Sequence, residues 1–129
     1  MARQAVVLVV EDEIPVRETV ADYLRDAGYT VIEAAIMNEA LEVFASGERV
    51  DVVFIDVHLR GTVDGLMLAL WVYQHHPHVR VLVTSGKGDV PVSSGYVAED
   101  LFFSKPYRLE ALAARIRSLV ENNVAGNRN

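Results

Sequence analysis

Acidic side chains follow two apolar segments of the chain, where they could share a metal ion. Glu11 and Asp12 come directly after the apolar run 5–10, and Asp56 comes directly after the run 52–55. If these runs are neighbouring parallel strands, about 4.8 Å apart, the carboxylates meet at one edge of the sheet. Carboxylates that close cannot all ionise unless a cation joins them or one keeps its proton. Because such oxygens suit Mg²⁺, the sequence predicts a Mg²⁺ site at this edge.

A lysine and two hydroxyl residues end later apolar segments. Lys105 would bring an ammonium group to the same edge, where it could pair first with Asp56 and later with a phosphoryl group. Thr84 and Ser85 end another run, and a hydroxyl there could donate a hydrogen bond to a phosphoryl oxygen. Pro106 follows the lysine and is a candidate for a cis peptide bond, although only about 5% of X-Pro bonds are cis.

Each of these residues has an ordinary interpretation when it is taken alone. An acid after a strand is usually a solvated turn residue, a lysine is usually on the surface, and a hydroxyl residue beside glycine usually marks a turn. The combination at successive strand ends favours a site for a metal ion and a phosphoryl group.

The segments that must position these groups have the pattern of a parallel sheet covered by helices. Short apolar runs alternate with segments whose apolar residues recur at helical spacing. This alternation is typical of an α/β, doubly wound parallel sheet, whose sites form at the carboxyl ends of the strands. The predicted strands are 5–10, 29–34, 52–55, 79–84 and 101–104, and the predicted helices cover 16–27, 37–44, 66–73 and 109–120.

Two segments depart from this pattern. Segment 86–100 is rich in glycine, proline and serine, so a fourth helix there should be short or irregular. The polar end, 122–129, should be a disordered tail, which leaves one domain over residues 1–121. A length of 129 residues supports one hydrophobic core and not two.

The composition excludes several functional classes. Hydrophobic residues make up 51% of the chain and charged residues 23%, as in an ordinary folded globule. A net charge of -6 has the wrong sign for direct nucleic-acid binding. The chain has no cysteine, which excludes disulfides, thiolate metal sites and a cysteine nucleophile. No apolar run approaches a membrane span or a signal peptide, so we expect a cytoplasmic protein.

Four features follow one another along the chain: the acidic pair, the single aspartate, the hydroxyl beside a small residue and the Lys-Pro pair. In this order they resemble the receiver domain of two-component response regulators. The resemblance covers residues 5–120 and implies a flavodoxin-like, five-stranded sheet of order 2-1-3-4-5. It implies that Asp56 accepts a phosphoryl group and that His58 contributes its backbone carbonyl to a Mg²⁺ site. The remaining ligands would be Glu11, Asp12 and Asp56 itself.

The same resemblance implies a switch. Ser85 and Lys105 would contact the phosphoryl oxygens, and Phe102 falls on the aromatic switch position. Ser85 is preferred over Thr84 because Gly86 then fills the family's small position, but Thr84 stays an alternative.

The resemblance also implies partners. The phosphoryl group would come from a histidine kinase or a histidine phosphotransfer protein, in a Mg²⁺-dependent reaction, and a downstream protein target would read the changed surface. The domain would phosphorylate and dephosphorylate itself rather than act as a turnover enzyme. The resemblance leaves open whether the domain forms a homodimer. It also leaves open whether the domain stands alone or is a fragment of a longer protein such as a hybrid kinase. Arg60, in the place of a usual proline, and a long loop over 60–64 depart from the family pattern.

Three other classes fit the residues less well. Phosphatases of the haloacid dehalogenase kind need a second aspartate two residues after the nucleophile, where this chain has His58. A flavodoxin-like cofactor binder needs a phosphate-cradling loop after its first strand, where Glu11 and Asp12 would repel phosphate. A receiver-like interaction module that takes up no phosphate is the remaining alternative.

Overall fold

The computed structural model describes residues 4–86 and 102–126. The predicted fourth helix within 86–100 therefore falls almost entirely outside the described residues. Each of the other predicted elements is present in the described part, with most boundaries shifted by one or two residues. The strands are β1 (Val6–Val10), β2 (Thr30–Ala34), β3 (Val52–Asp56), β4 (Arg80–Ser85) and β5 (Phe102–Ser104), and the helices are α1 (Ile14–Asp26), α2 (Met37–Ala45), α3 (Asp64–His75) and α4 (Leu109–Gly126).

The strands form one parallel sheet in the order β2-β1-β3-β4-β5. This confirms the doubly wound, flavodoxin-like topology. The chain moves outward in one direction from β1 to β2 and in the other from β3 to β5. Sites in such sheets form at the carboxyl ends of the strands beside this reversal, which here lies between β1 and β3.

The central strands are buried on both faces, as their unbroken apolar runs predict. Ile55 and Val83 belong to a core cluster with α2 and α3, whereas Phe54 and Leu82 belong to a second cluster with α1 and α4. Successive residues of a strand thus face opposite helical layers. Among the described helices, none combines the length and the apolar character that crossing a membrane requires.

The last helix is longer than the sequence predicts. α4 continues to Gly126, so residues 122–126 are helical, although they were expected to belong to a disordered tail. The segment contains no proline, and each added residue continues the backbone hydrogen-bond ladder of a helix that is already formed. The rest of the predicted tail, residues 127–129, lies outside the described part of the chain.

Gly65 allows α3 to begin against the end of β3. Its backbone N–H donates a 3.0 Å hydrogen bond to the carbonyl oxygen of Val57. A Cβ atom at this position would overlap the backbone carbonyl of Asp56. Only glycine permits so close an approach, and the contact fixes the chain at the acidic end of β3.

Replacing Gly65 with alanine should lower the free energy of unfolding by about 2–3 kcal/mol, because α3 has to move away from β3. Gly47→Ala is the control: its φ is +82° and no atom lies within 4 Å of the added Cβ, so it strains the backbone without a clash. That strain costs about 1 kcal/mol. Urea denaturation measures both variants, and a Gly65 variant as stable as the Gly47 variant would contradict the packing argument.

Candidate functional site

Three carboxylates meet where β1 and β3 end. Glu11 and Asp12 follow β1, Asp56 ends β3, and one oxygen from each residue lies within 4.8 Å of the others. Glu11 is 4% exposed and Asp56 is 6% exposed. Because buried carboxylates at this distance repel one another, the cluster favours a bound cation with oxygen ligands. The structure thus brings together the acidic residues that the sequence placed at one edge of the sheet.

Lys105 extends into this cluster from the segment after β5. Its Nζ lies 2.9 Å from Asp56 Oδ2 and 3.5 Å from Glu11 Oε1. Its backbone N–H donates a 3.1 Å hydrogen bond to the carbonyl oxygen of Ser85, which fixes it beside the end of β4. The Lys105–Pro106 peptide bond is cis. The ion pair between Lys105 and Asp56 is the resting-state contact that the sequence predicts.

Burial and charge shift the pKa values of the groups in this cluster. Burial raises the pKa of Glu11 to about 7; the charge of Asp56 acts in the same direction, and a hydrogen bond from the Glu13 N–H opposes it. Burial lowers the pKa of Lys105, but its hydrogen bond to Asp56 and the two negative charges outweigh burial and raise it. Lys105 is therefore an ammonium ion at neutral pH and offsets part of the negative charge.

Backbone N–H groups hold the carboxylates in place. The N–H of His58 donates a 3.0 Å hydrogen bond to Asp56 Oδ1, and the N–H of Arg60 donates a 2.9 Å bond to Asp12 Oδ2. Arg60 has a φ of 54°, in the left-handed region of backbone conformation. Proline, which the resemblance leads one to expect at this position, has no N–H and could not make this bond.

Asp12 and Asp56 border a cleft of about 390 Å³. His58 is one of the residues that line it. The cleft is large enough for a phosphoryl group. Its charged residues are the predicted Asp12, Asp56 and Lys105, and also Glu13, which the sequence did not assign to the site. Its lining consists of Asp12, Glu13, Asp56, His58, Gly86 and Lys105.

The strand register separates the two hydroxyl candidates. Phe102 pairs with Val83 in the sheet and packs with it in the core cluster of α2 and α3. Because side chains alternate along a strand, Ser85 faces this same side, whereas Thr84 faces the side of Phe103. Both hydroxyl residues are buried, and the Thr84 hydroxyl has no hydrogen-bond partner among the described atoms. Of the two hydroxyl residues, Ser85 therefore shares the face of Phe102.

The structure adds residues that the sequence did not single out for the site. Tyr107 packs edge-on against Phe54, with ring centroids 5.7 Å apart, and this contact anchors the segment that carries Lys105. Burial raises the pKa of Tyr107 to about 12, so its hydroxyl stays neutral. Arg17 binds the backbone of the acidic turn. No local sequence pattern predicts either contact, because each joins residues of separate elements.

Comparisons with known proteins agree with this geometry. The family model of the response regulator receiver domain matches residues 7–117. The chain is 34% identical to the sensor kinase CckA of Brucella abortus over 124 residues, which cover 94% of the chain and 13% of CckA. It is 33% identical to a cyclic di-GMP phosphodiesterase of Thermotoga maritima over 120 residues, which cover 92% of the chain and 32% of that protein. The chain therefore spans less than a third of these two relatives.

Solved structures show the same fold. A receiver domain protein (CheY-like) from Methanospirillum hungatei superposes with a TM-score of 0.86 at 19% identity, and the match covers 96% of this chain and 99% of that one. NtrX from Brucella abortus, solved in complex with ADP, superposes with a TM-score of 0.84 at 28% identity. That match covers 98% of this chain and 29% of NtrX.

Proposed function

The chain belongs to the family of response regulator receiver domains, and on that premise we propose that Asp56 accepts a phosphoryl group. The observation that supports the assignment best is the Lys105 ammonium group, 2.9 Å from Asp56 Oδ2. This pair stands in a cleft that also contains Asp12. A carboxylate that lines a cleft beside a fixed cation can act as a nucleophile toward an anionic group.

The transfer needs little chemistry beyond positioning and charge neutralisation. A carboxylate oxygen of Asp56 attacks phosphorus in line, and the bond between phosphorus and the donor's histidine nitrogen breaks. That nitrogen keeps the electron pair of the broken bond, and the product on the protein is an acyl phosphate. Lys105 then pairs with a phosphoryl oxygen, because the carboxylate that it paired with has become part of the acyl phosphate. The N–H of His58, 3.0 Å from Asp56 Oδ1, holds the carboxylate during the attack.

The donor set fits Mg²⁺, which prefers oxygen ligands and keeps several waters. We assign Glu11, Asp12, Asp56 and the backbone carbonyl of His58 as the residues that would hold it. Bound Mg²⁺ would neutralise negative charge on the phosphoryl group. The crowding of three carboxylate oxygens within 4.8 Å supports this assignment, since a divalent cation relieves their repulsion.

Proton competition at Glu11 should make Mg²⁺ binding depend on pH. The pKa of about 7 means that Glu11 is largely protonated below neutrality, and a protonated carboxyl is a poor metal ligand. The apparent affinity for Mg²⁺, measured by calorimetry, should therefore fall about tenfold from about pH 8 to about pH 6. Glu11→Gln should bind more weakly and lose this pH dependence. A steep dependence retained in Glu11→Gln would show that another group titrates.

The raised pKa of Glu11 also predicts how the stability of the metal-free protein depends on pH. The folded protein binds a proton at Glu11 that the unfolded chain releases above its ordinary pKa of 4.5. The contribution of Glu11 to the stability of the metal-free protein should therefore fall as pH rises through the window from about 4.5 to about 7. Thermal unfolding of the wild type and of Glu11→Gln in a chelator at several pH values measures this contribution, and a wild type that gains stability relative to Glu11→Gln across the window would contradict it.

We assign the donor as a histidine kinase or a histidine phosphotransfer protein, in the cytoplasm. A groove of about 650 Å³ between α1 and the segment after β5 supports contact with such a carrier. The groove shares Glu13, Gly86 and Lys105 with the cleft, so a carrier seated in it would bring its phosphohistidine to Asp56. Its other walls, which include Pro15 and Tyr107, are largely apolar and would suit a helical protein surface.

We further assign Ser85 and Phe102 to the switch. In this assignment the Ser85 hydroxyl moves toward the new phosphoryl oxygens, and Phe102 moves into the space that Ser85 leaves. Their shared face of the sheet supports this coupling. The changed surface, which includes β5 and α4, would be read by a downstream protein target.

Incubation with acetyl phosphate tests the proposed function. In Mg²⁺, intact mass spectrometry should show one phosphoryl group per chain, and the same mixture with excess chelator should show none. No uptake in Mg²⁺ would favour the interaction module. Continuous release of phosphate from phosphate esters would favour a phosphatase.

A further inference from the structure

Arg17 connects the acidic turn to the neighbouring strand. Its Nη1 donates a 3.0 Å hydrogen bond to the backbone carbonyl of Glu11, and its Nε donates a 3.2 Å bond to Oε1 of Glu33 in β2. The side chains of Arg17 and Glu33 are 16% and 28% exposed, so water only partly screens these contacts. Because a guanidinium group is planar, two bonds at different nitrogens fix its orientation.

Glu11 links Arg17 to the acidic cluster. Its carboxylate belongs to the acidic cluster, and its backbone carbonyl accepts the bond from Arg17. Its backbone N–H donates a 3.0 Å hydrogen bond to the carbonyl of Ala34 at the end of β2. Residue 11 is thus held by β2 on its N–H and by α1 on its carbonyl. These two bonds fix the directions in which the side chains of Glu11 and Asp12 leave the backbone.

We propose that Arg17 is a positioning residue for the Mg²⁺ site. It holds the turn after β1 in the geometry in which Glu11 and Asp12 reach the same ion as Asp56. This inference rests on the proposed function, since it takes the acidic cluster as the metal site. Arg17 acts through the Glu11 carbonyl and needs no contact with the ion. Groups that orient metal ligands in this way typically change metal affinity by about 10- to 100-fold.

The direction in which Mg²⁺ affinity changes when Arg17 is removed distinguishes a positioning role from a simple effect of its charge. A guanidinium group near the cluster repels a metal ion, so its loss would strengthen Mg²⁺ binding if charge decided the outcome. If positioning decides the outcome, the loss of Arg17 weakens binding although a repulsive charge has been removed.

Arg25 provides a matched control on the same helix. It binds the other carboxylate oxygen of Glu33 at 3.2 Å and donates a 3.0 Å hydrogen bond to the carbonyl of Val31. Arg25→Met removes the same charge and a bond to the same partner as Arg17→Met. Of the two arginines, only Arg17 binds the Glu11 carbonyl, whereas the remaining contacts of Arg25, with the Val31 carbonyl and Asp22, lie outside the acidic turn.

Calorimetric titration of both variants and the wild type with MgCl₂ tests the proposal. Arg17→Met should raise the Kd for Mg²⁺ about tenfold, whereas Arg25→Met should stay within about twofold of the wild type. Thermal unfolding in chelator checks that each variant is folded. Arg17→Lys is the second variant, because lysine keeps the charge but cannot make both bonds, and its Kd should rise about threefold.

Equal Kd values for the Arg17 and Arg25 variants, or tighter binding by Arg17→Met, would overturn the positioning role. If Arg17→Met does not fold, an unchanged Kd in Arg17→Lys overturns it in the same way. A wild type that binds no Mg²⁺ would overturn the proposed function and this inference together. A wild type that binds Mg²⁺ as tightly as Arg17→Met would overturn this inference alone.

Discussion

Asp56→Asn should abolish uptake of a phosphoryl group from acetyl phosphate. The amide keeps the size of the side chain and can still accept the hydrogen bond from the His58 N–H, but it is not a nucleophile. The loss should therefore be complete, and the protein should stay folded. Intact mass spectrometry in Mg²⁺ measures the uptake, and thermal unfolding measures the fold.

Asp64→Asn is the control for this change, because Asp64 is an exposed acid at the start of α3 and does not line the cleft. It should leave uptake unchanged. Retained labelling of the Asp56 variant at the wild-type level would show that another residue accepts the phosphoryl group.

Lys105→Met should slow phosphorylation by about 100-fold, the usual cost of removing a fixed charge that stabilises a transferring group. The ammonium group lies 2.9 Å from the nucleophile's carboxylate, so its loss leaves the phosphoryl oxygens without this partner. The variant should also be less stable in chelator, because Glu11 and Asp56 are buried and lose their shared cation. Since the lysine side chain is 25% exposed, this loss should be about 1–3 kcal/mol.

Arg108→Met removes a nearby positive charge that is 82% exposed and pairs with Glu110 outside the cleft. Its phosphorylation rate should match the wild type. The rates follow from the time course of label in acetyl phosphate and Mg²⁺. A Lys105 variant within twofold of the Arg108 variant would mean that the ion pair with Asp56 has no role in the transfer.

The fold was predictable because the sheet is covered on both faces. Strands between two helical layers need apolar residues at every position, so β1 and β3 stand out as unbroken runs in the sequence. Sites of such sheets form at the carboxyl ends of the strands, which predicts that Glu11, Asp12 and Asp56 lie at one edge. The length of α4 was missed because polar residues continue a helix as well as they begin a tail, and local sequence does not distinguish the two.

The finer parts of the site depend on contacts that sequence patterns do not encode. Ser85 and Thr84 are adjacent, and only the register with β5 shows which of them shares a face with Phe102. Arg60 departed from the family pattern, yet its contribution is a backbone N–H to Asp12, which has no side-chain signature. The close approach of Gly65 to Asp56 depends on how α3 packs against β3, which no local sequence pattern encodes.

Reduction of the phosphorylated protein with borohydride tests the central claim most directly. Borohydride converts an aspartyl phosphate to homoserine, so peptide sequencing by mass spectrometry identifies the residue that carried the phosphoryl group. We expect homoserine at position 56 after treatment with acetyl phosphate and Mg²⁺, and unmodified aspartate there when Mg²⁺ is chelated. Reduction at Asp12 or Glu11 instead, or a stable phosphate on His58, would contradict the assignment of Asp56 as the acceptor.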